Sequence, residues 1–505
     1  MLWNTESFSK PHDPLMPIPL PEYHGIFPYE FSFGTSGGAF EHEGAWLEDN
    51  KGESIWDHWV HENPNVTVDN GNGDVSADSY NHVNDDVDLL NNLGVNHFVF
   101  SISWGRIIPA GEGDVNMLGI NHYKKLIKKL RRKQIEPIVF LYVGDLPQAL
   151  EDRGGFLSDE FPIWFREYAR VAFQHFGDDV EYWLTFNNPT SQCSEGYGEG
   201  TYPPGVTSNP GVNEYICGHN LLKAHANAYH LYEDIFKPTQ QGKISIGINI
   251  PWFQPKTRFD EDIEAVATRY QFHAGWFAHP IYKGDYPDVM IERVGKLSQL
   301  GGFSESRLPK FTRKDIRWIK GTSDFFAFGY FMGFYVRANS NEIPLPPSFG
   351  NDAGSKIKLM NSDVADGIRN VISWIQNEYD NPWIFITHNG YQSFNRTLDD
   401  TDRIDYIKSI LINLQYAIEG DGARIFGYTH HSYIDGFVRR FGYTLKYGLI
   451  DVDFNDPSRT RTPRLSADYY RHVCTYGCID YPCPPFYYQQ FEINLNIDSS
   501  LIINS

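Results

Sequence analysis

The 505-residue chain is short of cysteine, of basic charge and of long apolar runs, and each shortage closes off a class of protein. Its five cysteines, Cys193, Cys217, Cys474, Cys478 and Cys483, contain no C-x-x-C pair. Their odd number leaves at least one thiol outside any intramolecular pairing, so they settle neither a disulfide pattern nor a compartment. Lysine and arginine number 43 against 64 aspartates and glutamates, a net charge of −21. That surplus repels phosphate backbones and anionic lipid, which argues against nucleic acid or a membrane surface as partner. No apolar run approaches the roughly 18 residues of a membrane-crossing helix, and residues 1–30 carry no charged head followed by an apolar block like a signal peptide. The chain reads as soluble and acidic.

What is present is ordinary globular material, 41% hydrophobic and 21% charged, in amounts that suit one large domain. Short runs rich in β-branched and aromatic residues alternate with longer segments of helical period, the mark of parallel βαβ units. The runs are Phe31 to Gly34, His97 to Ser103, Glu136 to Tyr142, Glu181 to Phe186, Lys243 to Ile250, Phe325 to Phe331, Pro382 to Thr387 and Arg424 to Thr429. Between them, HYKKLIKKLRRKQ from His122 places Leu126, Ile127 and Leu130 on one face and lysine and arginine on the other, a solvated amphipathic helix. Eight such pairs without a low-complexity linker predict an α/β fold, a single (β/α)8 TIM barrel with elaborated loops. Residues 1–24 read as an irregular N-terminal arm, 25–483 as the barrel and 484–505 as a C-terminal tail.

Chemistry on this fold sits at the C-terminal ends of the strands, where the wording of the sequence is most informative. In order come GGAFEHEGAW (37–46), FSISWGRIIPAG (100–111), LYVGDLPQAL (141–150), LTFNNP (184–189), ITHNG (386–390) and YGLIDVDFNDPSRTRTPRLSA (447–467). From about Phe27 to Cys474 the chain strongly resembles glycoside hydrolase family 1, the β-glucosidase and myrosinase family. The resemblance implies a retaining mechanism in which the glutamate of TFNEP, ending strand 4, is the acid/base. The glutamate of ITENG, ending strand 7, is the nucleophile. Such a pair works about 5–5.5 Å apart, one carboxyl shuttling a proton while the other forms a glycosyl ester.

At those positions this chain has Asn188 and His388. An amide delivers no proton at neutral pH, and the missing general-acid assistance is worth about 10² to 10⁴ in rate. An imidazole in the nucleophile's place would yield a cationic adduct beside an oxocarbenium-like centre that needs negative charge. Single losses occur in the family, since myrosinases replace the acid/base by glutamine. Here the supports have changed as well. The arginine expected before FSISW is Val99, and the strand 6 asparagine and tyrosine are Gly329 and Phe331. The family's sugar-binding glutamine, histidine and tryptophan are Glu41, Val143 and Gly144. The last strand region has His431, Val438 and Arg439, and Asn187 alone of the sugar-binding set is recognisable.

These exchanges predict a pocket that is larger and more apolar on one wall, suited to a lipophilic or pigment-like ligand. Glu41, His388 and His431 end neighbouring strands and are candidates for holding a metal or an axial position on a planar cofactor. Hydrogen bonding among them is the alternative. Only one of His430 and His431 should face the pocket, because strand side chains alternate. Asp145, Asp324 and Asp435 read as supporting groups. The leading expectation is therefore a family member without hydrolytic activity that binds a small ligand in the old sugar pocket or a protein at its mouth. A residual retaining β-glycosidase for activated O- or S-glycosides and a storage or structural protein are its rivals. Sequons at Asn65 and Asn395 would accept glycans in a secreted or vesicular protein.

Overall fold

The computed structural model describes residues 25–339, 346–361 and 364–483. The expected arm, 1–24, and tail, 484–505, lie outside the described residues. Eight parallel strands close into a barrel: β1 (Ser32–Gly37), β2 (His97–Ser101), β3 (Glu136–Tyr142), β4 (Tyr182–Asn187), β5 (Lys243–Asn249), β6 (Phe326–Tyr330), β7 (Trp383–Asn389) and β8 (Arg424–His431). β8 closes on β1 through pairs such as Ser36 with His431. All eight expected runs are strands, but β1, β4, β7 and β8 continue further at their C-terminal ends than the hydrophobic pattern indicates, so His388 and His431 lie within strands.

The strands are apolar on both faces because both faces are covered. Every residue of β2 and β6 is buried. Alternate side chains from strands across the barrel, among them Val99, Ile138, Phe140, Leu184, Ala327 and Phe385, meet in an inner cluster. The outward set packs on a ring of helices that includes α1 (Met117–Arg132), α2 (Phe161–Phe176), α3 (Pro189–Ser194), α4 (Asn213–Leu231), α5 (Thr401–Glu419) and α6 (Leu465–Tyr476). The predicted amphipathic helix is α1, which buries Ile120, Tyr123, Ile127 and Leu130 and is capped by Asn116.

The elaboration sits where the pocket is. Trp252–Pro255, Gly333–Ala338 and Ser355–Leu359 form a three-stranded sheet in the segments following β5 and β6. A disulfide joins Cys193 on α3 to Cys217 on α4, with Cα atoms 5.5 Å apart, and so braces the segment following β4.

Candidate functional site

Two interruptions of regular pairing aim the side chains that matter. Between β4 and β5 the register shifts between Leu184 and Asn187, and between β7 and β6 it shifts between Ile386 and His388. Such irregularities re-aim side chains at barrel rims. The result is an arc of polar groups on consecutive strand ends: Asn187 on β4, Asn249 on β5, His388 on β7, His431 on β8 and Ser36 on β1. Gly329 on β6 provides the gap between them.

Asn188, expected from the TFNEP-like segment at the acid/base position, takes a left-handed conformation (φ 50°, ψ 57°) that asparagine tolerates well. Its Oδ1 accepts a hydrogen bond of 3.4 Å from the Ser191 N–H, capping α3, and the residue is only 7% exposed. The amide is occupied as a helix cap.

His388 lies against Phe140, ring centroids 5.4 Å apart, and against His431, 5.5 Å apart. Burial, with no compensating charge, pushes its pKa down to about 3, so the imidazole is neutral. His431 is likewise held well below the ordinary value, by burial first and then by His388 and His42. Its Nδ1 shares a 3.0 Å hydrogen bond with the Ser36 hydroxyl. Phe331 and Tyr447 flank it, with centroids at 5.7 and 5.1 Å. As the alternation of strand side chains requires, His430 faces away, buried against Tyr470.

The expected enlargement of the pocket is corrected in two places. A Cβ on Gly144, whose φ is +83°, would overlap the Tyr202 hydroxyl, which accepts from Trp56 Nε1 at 3.3 Å. Tyr202 thus occupies the space beside Gly144. Val99 is fully buried in the inner barrel cluster, where it extends the core and opens no wall, while Val143 packs at the edge of that cluster. The segment around Val438 contributes Arg439, in a left-handed conformation (φ 45°), with its guanidinium 5.1 Å from the centre of the Tyr202 ring. Its charge is favoured by Tyr202 and by the carboxylates of Glu195 and Glu41, which outweigh its burial.

The proposed metal set is not assembled. Glu41, His388 and His431 do not form a group of converging ligands; among the described residues the group whose ligating atoms all lie within 4.8 Å of one another is His472, Cys478 and Cys483. Glu41 sits on the turn after β1, 28% exposed, with Oε2 3.9 Å from His42 Nδ1.

Asn249 was not legible as a pocket residue. A Cβ on Gly329 would overlap its Oδ1, so Asn249 fills the space over Gly329. The glycine in FFAFGYF was the only signal, and it does not say which neighbour fills the gap. Asn187 Oδ1, Asn249 Oδ1 and His388 Nδ1 are buried without hydrogen-bond partners among the described residues. An unmet buried polar atom costs about 1–3 kcal/mol, so three on one arc favour an occupant that engages them.

Two of the supporting aspartates have structural tasks. Asp435 is fully buried, receives 2.6 Å from Arg464 Nη2 and 3.0 Å from the Gly448 N–H, and locks the segment after β8. Asp324 accepts from the Ile244 N–H at 2.7 Å, at the opposite end of β5 from the pocket. Burial raises the Asp145 carboxyl to about 7. Asn65 and Asn395 are both exposed.

Comparison with known proteins agrees with this geometry. The sequence profile of Glycosyl hydrolase family 1 matches residues 23–477. Myrosinase 1 of Brevicoryne brassicae is 41% identical over 464 residues, covering 89% of this chain and 99% of that protein. Lactase/phlorizin hydrolase of Rattus norvegicus is also 41% identical, over 458 residues; the chain spans 24% of its length. Among solved structures, aphid myrosinase superposes with a TM-score of 0.86 at 41% identity, over 90% of this chain and all of that one.

Proposed function

The chain belongs to glycosyl hydrolase family 1, and from that premise we propose that it is a member in which hydrolysis has given way to binding of a small, largely apolar, uncharged ligand in the remodelled sugar pocket. The observation that carries this is the neutral, buried His388 in the nucleophile's place. A retaining reaction needs a carboxylate there to stabilise positive charge and form the ester. An uncharged imidazole on an aromatic wall does neither. Asn188 compounds the loss, because its amide caps α3 and has no proton to deliver.

The same groups suit binding. Phe140, Phe331, Tyr202 and Tyr447 offer aromatic faces, and the unpartnered atoms of Asn187, Asn249 and His388 offer convergent polar contacts on one edge. A planar, pigment-like or cofactor-like molecule with donors along one side matches that division. The Cys193–Cys217 bridge and the exposed Asn65 and Asn395 fit a secreted or vesicular location.

The test is native mass spectrometry and an absorption spectrum of the purified protein, beside turnover of nitrophenyl β-glycosides. A stoichiometric excess mass with no turnover is the expected result. A protein carrying no ligand, and taking up none from a panel of apolar planar compounds, would sink the binding reading. Turnover of activated glycosides that disappears in His388→Ala would establish the rival, a residual β-glycosidase. That rival draws its support from the similarity to myrosinases.

A further inference from the structure

At the end of the barrel away from the pocket, the last described turn of the chain gathers three side chains of a different kind. α6 carries His472 near its C-terminal end and is stopped by Gly477, in the left-handed conformation (φ +61°) that glycine adopts most readily. The chain then turns back along the segment that leads into β1: Cys478 bridges Ile26, and the Ile479 N–H donates to the Gly25 carbonyl at 2.8 Å. Tyr469 donates to the Ile479 carbonyl at 2.8 Å and Lys408 pairs with Asp480 at 2.9 Å, so the turn is held from both α6 and α5. Cys483 returns beneath His472.

His472 Nε2, Cys478 Sγ and Cys483 Sγ all lie within 4.8 Å of one another, and Cys483 Sγ is 3.4 Å from His472 Nε2. The residues are 6%, 0% and 3% exposed. With zinc–sulfur bonds of about 2.3 Å and zinc–nitrogen bonds of about 2.0–2.1 Å, a tetrahedral site spaces its nitrogen and sulfur ligands about 3.6 Å apart and two sulfurs about 3.8 Å apart. The observed spacings need only small side-chain adjustments to reach those values.

The fourth corner is also present. The Asp480 carbonyl oxygen lies 2.9 Å from His472 Nε2 and 3.3 Å from Cys478 Sγ, accepting from both. Two protons therefore converge on one oxygen amid donors of the soft, borderline type that selects zinc over calcium or magnesium.

We propose that His472, Cys478 and Cys483, completed by the Asp480 carbonyl, form a structural site for a divalent cation of the zinc class. On binding, both thiols release their protons and the single proton of the imidazole moves from Nε2, where it faces the Asp480 carbonyl, to Nδ1. One dication, two thiolates and a neutral imidazole then sum to zero, which suits a buried position. The site clamps the end of α6 to the segment entering β1, and its distance from the pocket makes it a stability element without a part in ligand binding.

Elemental analysis of the full chain, prepared without chelators, is expected to give one zinc per protein. After removal of the metal under reducing conditions, cobalt(II) titration of the folded protein should produce a thiolate-to-cobalt absorption band that saturates at one equivalent and is displaced by zinc. In the double variant Cys478→Ser/Cys483→Ser the band and the zinc should both be lost, with the rise in Tm on adding zinc abolished. Failure of the unmutated, reduced protein to take up cobalt or zinc would overturn the proposal whether or not the variant folds. So would retention of the metal in a folded double variant, or a Cys478–Cys483 disulfide mapped by mass spectrometry in the native protein.

Discussion

Tyr202 stands in the space that any side chain at position 144 would need: a Cβ on Gly144 would overlap its hydroxyl. A glycine after β3 and a tyrosine after α3, distant in sequence, thus share one volume of the pocket wall. Gly144 in addition has a φ of +83°, so a larger residue meets backbone strain as well as overlap.

The Gly144→Trp variant is therefore expected to lower stability by about 1–3 kcal/mol through overpacking. Adding Tyr202→Ala should recover part of that loss, and the two effects should be non-additive because they share one volume. Denaturant unfolding of the two single variants and the double variant measures this. Simple additivity would refute the shared-space account.

Returning a carboxylate to the acid/base position should not return the reaction. Asn188→Glu removes the cap on α3 and places glutamate in a left-handed conformation, a change expected to cost about 0.5–2 kcal/mol. With His388 still in place, the nitrophenyl glycoside assay should read background. The double variant Asn188→Glu/His388→Glu supplies both carboxylates but lacks the arginine replaced by Val99, and is expected to show no more than trace turnover.

Acid sensitivity follows from the buried histidines. His388 has a folded pKa near 3, below its unfolded value near 6.5, so between those pH values the unfolded chain binds the extra proton. Stability is then lost as pH falls through that window. His97, lowered to about 3, and His225, lowered to about 4, act in the same direction. His388→Gln should flatten the stability profile between pH 6 and 4 by up to about 1.4 kcal/mol per pH unit, the contribution of one proton. Chemical unfolding at several pH values checks the slope. An unchanged slope would mean that His388 is charged in the folded protein.

Removing the bridge between α3 and α4 should loosen the segment that carries Tyr202. Cys193 and Cys217 are separated by 24 residues, and their link restricts the unfolded chain. The Cys193→Ser/Cys217→Ser variant is expected to lose about 2–4 kcal/mol. The unfolding midpoint of the oxidised protein should fall to that of the variant when reductant is added.

The barrel was legible because its signal is local and repeated. Apolar runs such as EPIVFLY, spaced by helical segments such as HYKKLIKKL, report burial on both faces wherever they occur in a parallel sheet. Position 388 was legible for the same reason, since ITHNG ends a strand and strand ends line the pocket. Side-chain direction within the site was less so. A register shift between Ile386 and His388 depends on the partner strand, and no local pattern announces it. Asn249 escaped notice because its role is set by the empty space over Gly329, its partner on the neighbouring strand and far from it in sequence.

The sequence by itself determined the fold and the family, because these rest on residue identity and on periodicities of two and 3.6. Only the tertiary structure decided that Tyr202 occupies the space beside Gly144 and that Val99 joins the core. It alone separated Glu41 from the two histidines and brought His472, Cys478 and Cys483 together. Those outcomes depend on distances between segments far apart along the chain, and packing in three dimensions sets such distances where composition and spacing cannot.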